Sequence, residues 1–306
     1  MNSIANHSKW FVFLILAIFA LSCTSNTPEP DFTYANEIKV WQQKRLASLK
    51  SKTGWLSLSG LFWLEEGENT FGRDSSNNIV FPQGKAPEFM GTFILKDGEV
   101  ELQAQPGADI YYDGKPVEKM KVFSSETEKP PVLTHGSLSW FVIQRGTKMG
   151  IRLRDSENPL IEALKEIETY PIDKKWRVGA ILEPYDPPKQ IPIQNVLGMT
   201  IDTPSPGMLA FQLEGQTYRL EAVDEGGDEL FIMFTDETSG DETYGAGRYM
   251  YIKKPGEDGK TSIDFNKAYN PPCAFTDYAT CPLPPMQNHL QLKVTAGEKT
   301  SHLPGH

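Results

Sequence analysis

A mainly β protein of two β-rich units is what this sequence predicts: a β-sandwich, then a sandwich- or barrel-like unit, with an N-terminal helix and a short helix between the units. Three observations carry that reading. From Gly54 onward, short β-branched or aromatic runs are broken by Gly, Asp, Asn and Pro about every ten residues, the spacing of sandwiches and barrels. Asp-Gly steps at Lys96-Asp97-Gly98-Glu99 and Tyr112-Asp113-Gly114-Lys115 supply the positive φ angles of tight hairpins. The chain of 306 residues is long enough for two ordinary domains, and 39% hydrophobic with 23% charged residues is the balance of a folded chain.

Taken in order, residues 1–22 read as an export signal. Lys9 is the only charged side chain before an apolar run, Phe11 to Leu21, that falls short of the roughly 20 residues needed to span a bilayer. The run ends in Ala20-Leu21-Ser22-Cys23, which resembles the lipobox of bacterial lipoproteins. That resemblance implies cleavage before Cys23, diacylation of its sulfur, and an exported protein anchored in the cell envelope, on the periplasmic side or in the outer membrane. The other reading is an ordinary cleaved signal beside an incidental cysteine. Residues 23–30 form a polar, Pro-bearing tether.

Residues 31–53 hold the N-terminal helix, with Ile38, Trp41, Leu46 and Leu49 at helical spacing over Asp31 to Lys50. Residues 54–155 form the first unit. Its expected strands are Trp55 to Leu58, Asn69 to Gly72, Asn78 to Phe81, Gly91 to Lys96, Glu99 to Ala104, Ile110 to Tyr112, Leu138 to Arg145 and Met149 to Leu153. The succession Phe71-Gly72-Arg73-Asp74, Asn77-Asn78-Ile79-Val80-Phe81-Pro82, Lys96-Asp97-Gly98 and Asp113-Gly114-Lys115-Pro116-Val117 resembles a forkhead-associated domain. The resemblance implies a sandwich and puts Arg73 at the Gly-Arg position that reads phosphothreonine. The Ser-x-x-His of that family is replaced by Ala86-Pro87-Glu88-Phe89-Met90, and its Asn-Gly by Asp113-Gly114, so the sandwich is carried over and the phosphopeptide binding is not.

Asp155-Ser156-Glu157-Asn158-Pro159 caps a helix expected over Leu160 to Glu168, with Pro159 in its tolerated first turn. Residues 156–300 make the second unit and 301–306 a tail. Strands are expected at Trp176 to Leu182, Ile191 to Asn195, Met208 to Leu213, Gln216 to Val223, Glu229 to Phe234, Gly247 to Ile252 and Thr261 to Phe265.

Chemistry concentrates late in the chain. Phe234 to Tyr249, Ile263 to Phe275, Cys281-Pro282-Leu283-Pro284-Pro285 and Ala296-Gly297-Glu298-Lys299, with Trp55 to Leu61 earlier, closely resemble a mainly bacterial family known as domain of unknown function 1684. The resemblance implies architecture and brings no activity. Read by chemistry, Arg248 is a fixed cation flanked by glycines that let a ligand or another backbone approach. Asp264, Asn266 and Asn270 form a carboxylate-amide set suited to an acid, a sugar or a peptide terminus, and Glu298 is a further candidate. The same residues also fit a purely structural network, with Asn and Asp locking turns and Arg248 paired to an internal acid. Asp236 to Glu242 reads as a solvated hairpin tip.

Cys273 and Cys281, in an exported chain, favour a disulfide that pins a local loop. Two cysteines with His289 nearby are too few for zinc, so neither a metal nor a cofactor is expected. No Gly-x-Ser-x-Gly occurs, which argues against a Ser-His-Asp mechanism. A net charge of −10 argues against nucleic acid as partner. The leading expectation is therefore a binding module for a small polar, carbohydrate or peptide ligand, partnered by the membrane through its anchor or by another envelope protein. A hydrolase with Asp264 or Glu298 as general base, and an interaction protein without a ligand, are the alternatives.

Overall fold

The computed structural model describes residues 32–301. The expected signal, Cys23, the tether and tail residues 302–306 lie outside the described residues. Helix α1 (Phe32–Lys50) buries Tyr34, Ile38 and Leu49, which with Trp41 and Arg45 form one stripe at three- and four-residue spacing. Lys50 in its last turn donates to the Leu164 carbonyl at 3.0 Å. Trp55–Ser57, expected to be strand, is instead a 3-10 turn. Ser57 Oγ donates to the Gly54 carbonyl at 2.7 Å, a local bond that competes with ladder pairing.

The first unit runs β1 (Leu58–Trp63), β2 (Gly67–Gly72), β3 (Ile79–Val80), β4 (Gly91–Lys96), β5 (Glu99–Ala104), β6 (Tyr111–Tyr112), β7 (Lys115–Pro116), β8 (Lys119–Phe123), β9 (Leu133–His135), β10 (Leu138–Arg145) and β11 (Lys148–Asp155). They build one sheet in the order β1-β11-β10-β9-β6-β7 and another in the order β3-β2-β4-β5-β8. Between them lies an aromatic core in which Phe71 stacks on Phe93 with centroids 4.5 Å apart and Phe81 meets Trp140 edge-on at 5.2 Å. Asp97 (φ 51°) and Asp113 (φ 48°) adopt the left-handed turn angles expected of the two Asp-Gly hairpins. On β10 and β11, alternation turns Trp140, Val142, Ile151 and Leu153 toward this core. Phe141, Arg145, Arg152 and Arg154 therefore face the opposite side.

Helix α2 (Pro159–Ala163) is shorter than its expected span. The Asn158 side chain accepts from the Leu160 amide at 3.1 Å to start it, and Leu164 then turns to extended backbone and enters the cluster of Leu49, Leu56, Ala274 and Phe275. Burial of Leu164 thus ends a helix whose sequence invites one more turn.

The second unit contains β12 (Arg177–Gln194), β13 (Thr200–Leu213), β14 (Gln216–Ala222), β15 (Glu229–Asp236), β16 (Arg248–Lys253), β17 (Lys260–Asp264) and β18 (His289–Leu290). The strands expected at 176–182 and 191–195 are the two ends of β12. Pro184, Pro187 and Pro188, which read as breakers, sit where its pairing with β13 shifts register between Pro184 and Lys189, and past Ile181 it has left its other neighbour, β17. Sheets β14-β13-β12-β17 and β16-β15-β18 enclose Leu209, Phe211, Leu220, Ile232, Phe234, Met250 and Phe265. No sheet closes into a barrel among the described residues.

Candidate functional site

Arg248, Asn266, Asn270 and Glu298 are buried, and Asp264 is half-buried. Arg248 opens β16 and is fully buried, its Nη2 donating to Asp236 Oδ2 at 2.7 Å and to the Val294 carbonyl at 3.0 Å. Its Nη1 donates to the Ala296 carbonyl. Asp236 Oδ1 in turn accepts from Thr238 N and Oγ1 at 2.8 and 2.6 Å. The acidic stretch expected as a solvated tip exposes Glu237 and Asp241 but is anchored at its start, where Asp236 and Thr238 are buried and Asp236 pairs with Arg248. Gly247, at φ 93°, lies where a Cβ would meet the Phe234 carbonyl at 2.5 Å, so the close approach this glycine permits is that of another backbone.

Glu298 and Asn270 form the second knot. Glu298 Oε2 accepts from the Asn270 amide at 2.7 Å and Oε1 from Arg45 Nε at 3.2 Å, while Arg45 Nη2 donates to the Asn270 carbonyl at 2.9 Å. Burial pushes the Glu298 carboxyl up, against the opposing pull of Arg45 and the Asn270 amide. Asp264 and Asn266 make a third. Asp264 Oδ1 accepts from Tyr34 Oη at 2.9 Å and from the Asn266 amide at 3.1 Å, and Asn266 holds the Asp173 backbone through both ends of its amide. The structure thus joins Glu298 to Asn270 and Asp264 to Asn266, and turns both sets toward α1. Two of the five also line open space: Asp264 a groove of about 720 Å³ with Trp41, Lys267 and Tyr269, and Glu298 a smaller one of about 210 Å³ with Gln42, Leu46 and Thr169.

An aromatic cavity that sequence reasoning missed lies where the two units meet. It measures about 340 Å³ and is walled by Trp55, Phe231, Tyr249, Tyr251 and Tyr269, with Arg45, Arg145, Glu225 and Thr280 as polar members. Such a volume suits a small ligand. Strand β16 places Tyr249 and Tyr251 on one face, and a bridge between Tyr249 and Tyr269 brings in the third tyrosine. Phe231 packs on Tyr251 at 4.9 Å and edge-on to Tyr249 at 5.0 Å. Tyr249 Oη donates to the Pro282 carbonyl and Tyr251 Oη to Glu225 at 2.8 Å. Burial drives the Tyr249, Tyr251 and Tyr269 hydroxyls far above their ordinary value, so all three stay neutral. Cys273 and Cys281 are joined by a disulfide with Cα atoms 6.1 Å apart, which fixes the loop bearing Ala279 and Thr280 against the cavity. The pattern Tyr249-x-Tyr251 at a strand end was the available signal.

Residues 162–299 match the family described as Protein of unknown function (DUF1684). No curated protein matches the chain. The chain is similar to an uncharacterized protein of Haloarcula marismortui solved in solution by NMR, at 31% identity over 45% of this chain and 78% of that one, with a TM-score of 0.39. It is also similar to a chain from a structural and functional analysis of phosphothreonine-dependent FHA domain interactions, at 14% identity over 31% of this chain and 92% of that one, with a TM-score of 0.22.

The DUF1684 segment carries Arg248, Asp264, Asn266, Asn270, Glu298, both cysteines and the three cavity tyrosines. Trp55 and Arg145 come from before it, so the cavity is completed by residues outside the DUF1684 match. In the first unit, Arg73 makes an exposed ion pair with Glu88 at 2.8 Å. Among the described residues, no group of three or more His, Cys, Asp or Glu is arranged to hold a metal ion.

Proposed function

We propose that this protein is a lipid-anchored envelope module that captures a small ligand in the aromatic cavity between its two units. The observation that carries the reading is the cavity itself: five aromatic side chains and two arginines converge on one space, and a disulfide holds one wall. Aromatic faces stack on sugar rings and planar groups, while the guanidiniums supply donors for oxygen-rich ligands. A general-base role for Glu298 has no geometric support, since both its oxygens are engaged by Arg45 and Asn270.

A thermal-shift screen of the exported protein against sugars, peptides, nucleotides and organic acids tests the reading, because a ligand of the native state raises the melting temperature by mass action. A shift is expected that disappears in Tyr251→Ala, a half-exposed wall residue whose loss leaves the core intact. Hits that survive Tyr251→Ala and Trp55→Ala alike would place binding elsewhere, and silence across the library would favour an interaction protein without a ligand. The anchor is read separately: labelled fatty acid should enter the wild type and fail to enter Cys23→Ala.

A further inference from the structure

One side of the cavity holds an arrangement of charge that the fold does not neutralise. Arg145 ends β10, and Arg152 and Arg154 lie two apart on β11, where the register Phe141↔Arg152 and Ser139↔Arg154 puts all three on the sheet face turned from the sandwich core. Arg152 is 5% exposed. Its Nη2 reaches Thr280 Oγ1 at 3.5 Å, and Arg145 Nε reaches the same hydroxyl at 3.0 Å. Arg152 Nε and Arg154 Nε are buried without a hydrogen-bond partner. The remaining company of Arg152 and Arg154 is aromatic, with Trp55 5.6 Å from the Arg152 guanidinium and Phe141 5.1 Å from that of Arg154.

None of the three forms an ion pair with a carboxylate among the described residues. Elsewhere, the buried Arg248 has Asp236 and the partly buried Arg45 has Glu298. Desolvation, with repulsion from Arg145 and Arg154, lowers Arg152 to about 10, and no acid opposes it. A buried cation without its counter-charge is costly, and Arg152 is buried between two partly buried arginines of like charge. An arriving anion removes that cost, and the paired hydrogens of a guanidinium match the oxygens of a phosphate, sulfate or carboxylate. Arg145 and Thr280 line the cavity directly, and Arg152 reaches Thr280 and the Trp55 ring; Glu225, the carboxylate on the lining, accepts from the Tyr251 hydroxyl.

We propose that Arg145, Arg152 and Thr280 form the anion-recognising end of the aromatic cavity, whose ligand bears an oxyanion group on a planar or apolar body. This rests on the cavity being a ligand site, as proposed above. Calorimetric titration of the purified protein with phenyl phosphate, phenyl sulfate, benzoate and neutral benzyl alcohol tests it. At least one anion should bind about ten- to a hundredfold tighter than benzyl alcohol, the worth of a charge-assisted hydrogen bond. The advantage over benzyl alcohol should shrink in high salt and vanish in Arg145→Gln; Thr280→Val should reduce it partly. Which anion gains most distinguishes phosphate, sulfate and carboxylate. Equal binding of anions and benzyl alcohol to the wild type, or an advantage kept in folded Arg145→Gln, would overturn the anion site and leave the cavity standing. No binding by any of the four probes would overturn both.

Discussion

Arg248 and Asp236 form an ion pair 2.7 Å long in which both side chains are completely shielded from solvent. Three carbonyls and a threonine turn add to their shells, with Arg248 Nε left unpartnered, so the pair ties β15, β16 and the segment of Val294 to Glu298 together. Removing one partner leaves a buried charge uncompensated. Arg248→Met should therefore lower stability in urea unfolding by about 3–5 kcal/mol, with a similar loss for Asp236→Asn. The double variant should lose clearly less than the two single losses combined. A loss below about 1 kcal/mol in both single variants would show that the pair is not a structural knot.

Glu298 gives a pH dependence of defined sign. Its carboxyl is raised by burial above the ordinary glutamate value of about 4.3. Between the unfolded and the folded value, the native protein keeps a proton that the unfolded chain has released. The resulting contribution to stability is full below about pH 4.3 and is lost as pH rises through the folded value. The wild type should thus lose stability relative to Glu298→Gln as pH climbs through this window, measured by urea unfolding in a pH series. Parallel curves for the two proteins would remove the claim.

Much of the scaffold was legible because local rules and tertiary demands agree there. Gly91–Lys96, Glu99–Ala104 and Leu138–Arg145 fall on their expected residues, since alternation and the Asp97-Gly98 turn point the same way. Where they disagree, a single local bond or burial wins: Ser57 closes a turn at Trp55, Leu164 ends α2 early, and a bulge lets β12 run through its prolines. The candidate site was legible as residues and not as a place. Nothing near Arg248 in sequence names Val294 and Ala296 as its carbonyl partners, and Trp55, Arg145 and Thr280 meet only because the two units pack together. The sequence pattern shows which side chains carry chemistry; long-range packing decides whether they face water or one another.

Asn69 tests the first unit in isolation from the cavity. It is buried, and its side chain accepts from the Glu65 amide at 2.9 Å while donating to the Glu65 carbonyl at 2.8 Å, stapling the entry to β2. Asn69→Ala strands one donor and one acceptor of the backbone. A loss of about 1–3 kcal/mol in urea is expected, with ligand affinity unchanged. Unchanged stability would mean that water replaces the side chain at no cost.

The disulfide between Cys273 and Cys281 links stability to the cavity. It closes a short loop with a sequence separation of 8, so on the chain-entropy model its removal should cost about 2 kcal/mol. The same loop carries Ala279 and Thr280 to the cavity wall, and Cys281 itself lies in the cluster with Phe231, Met233 and Tyr249. Reduction or Cys273→Ala should therefore weaken a cavity ligand by a larger factor than it weakens the fold, because Thr280 is freed from Arg145 and Arg152 while the two sheets stay packed. Titration of a cavity ligand before and after reduction, with unfolding measured on the same samples, separates the two effects. Undiminished affinity in the reduced protein would mean that packing by Phe231 and Tyr249 holds the wall without the covalent link.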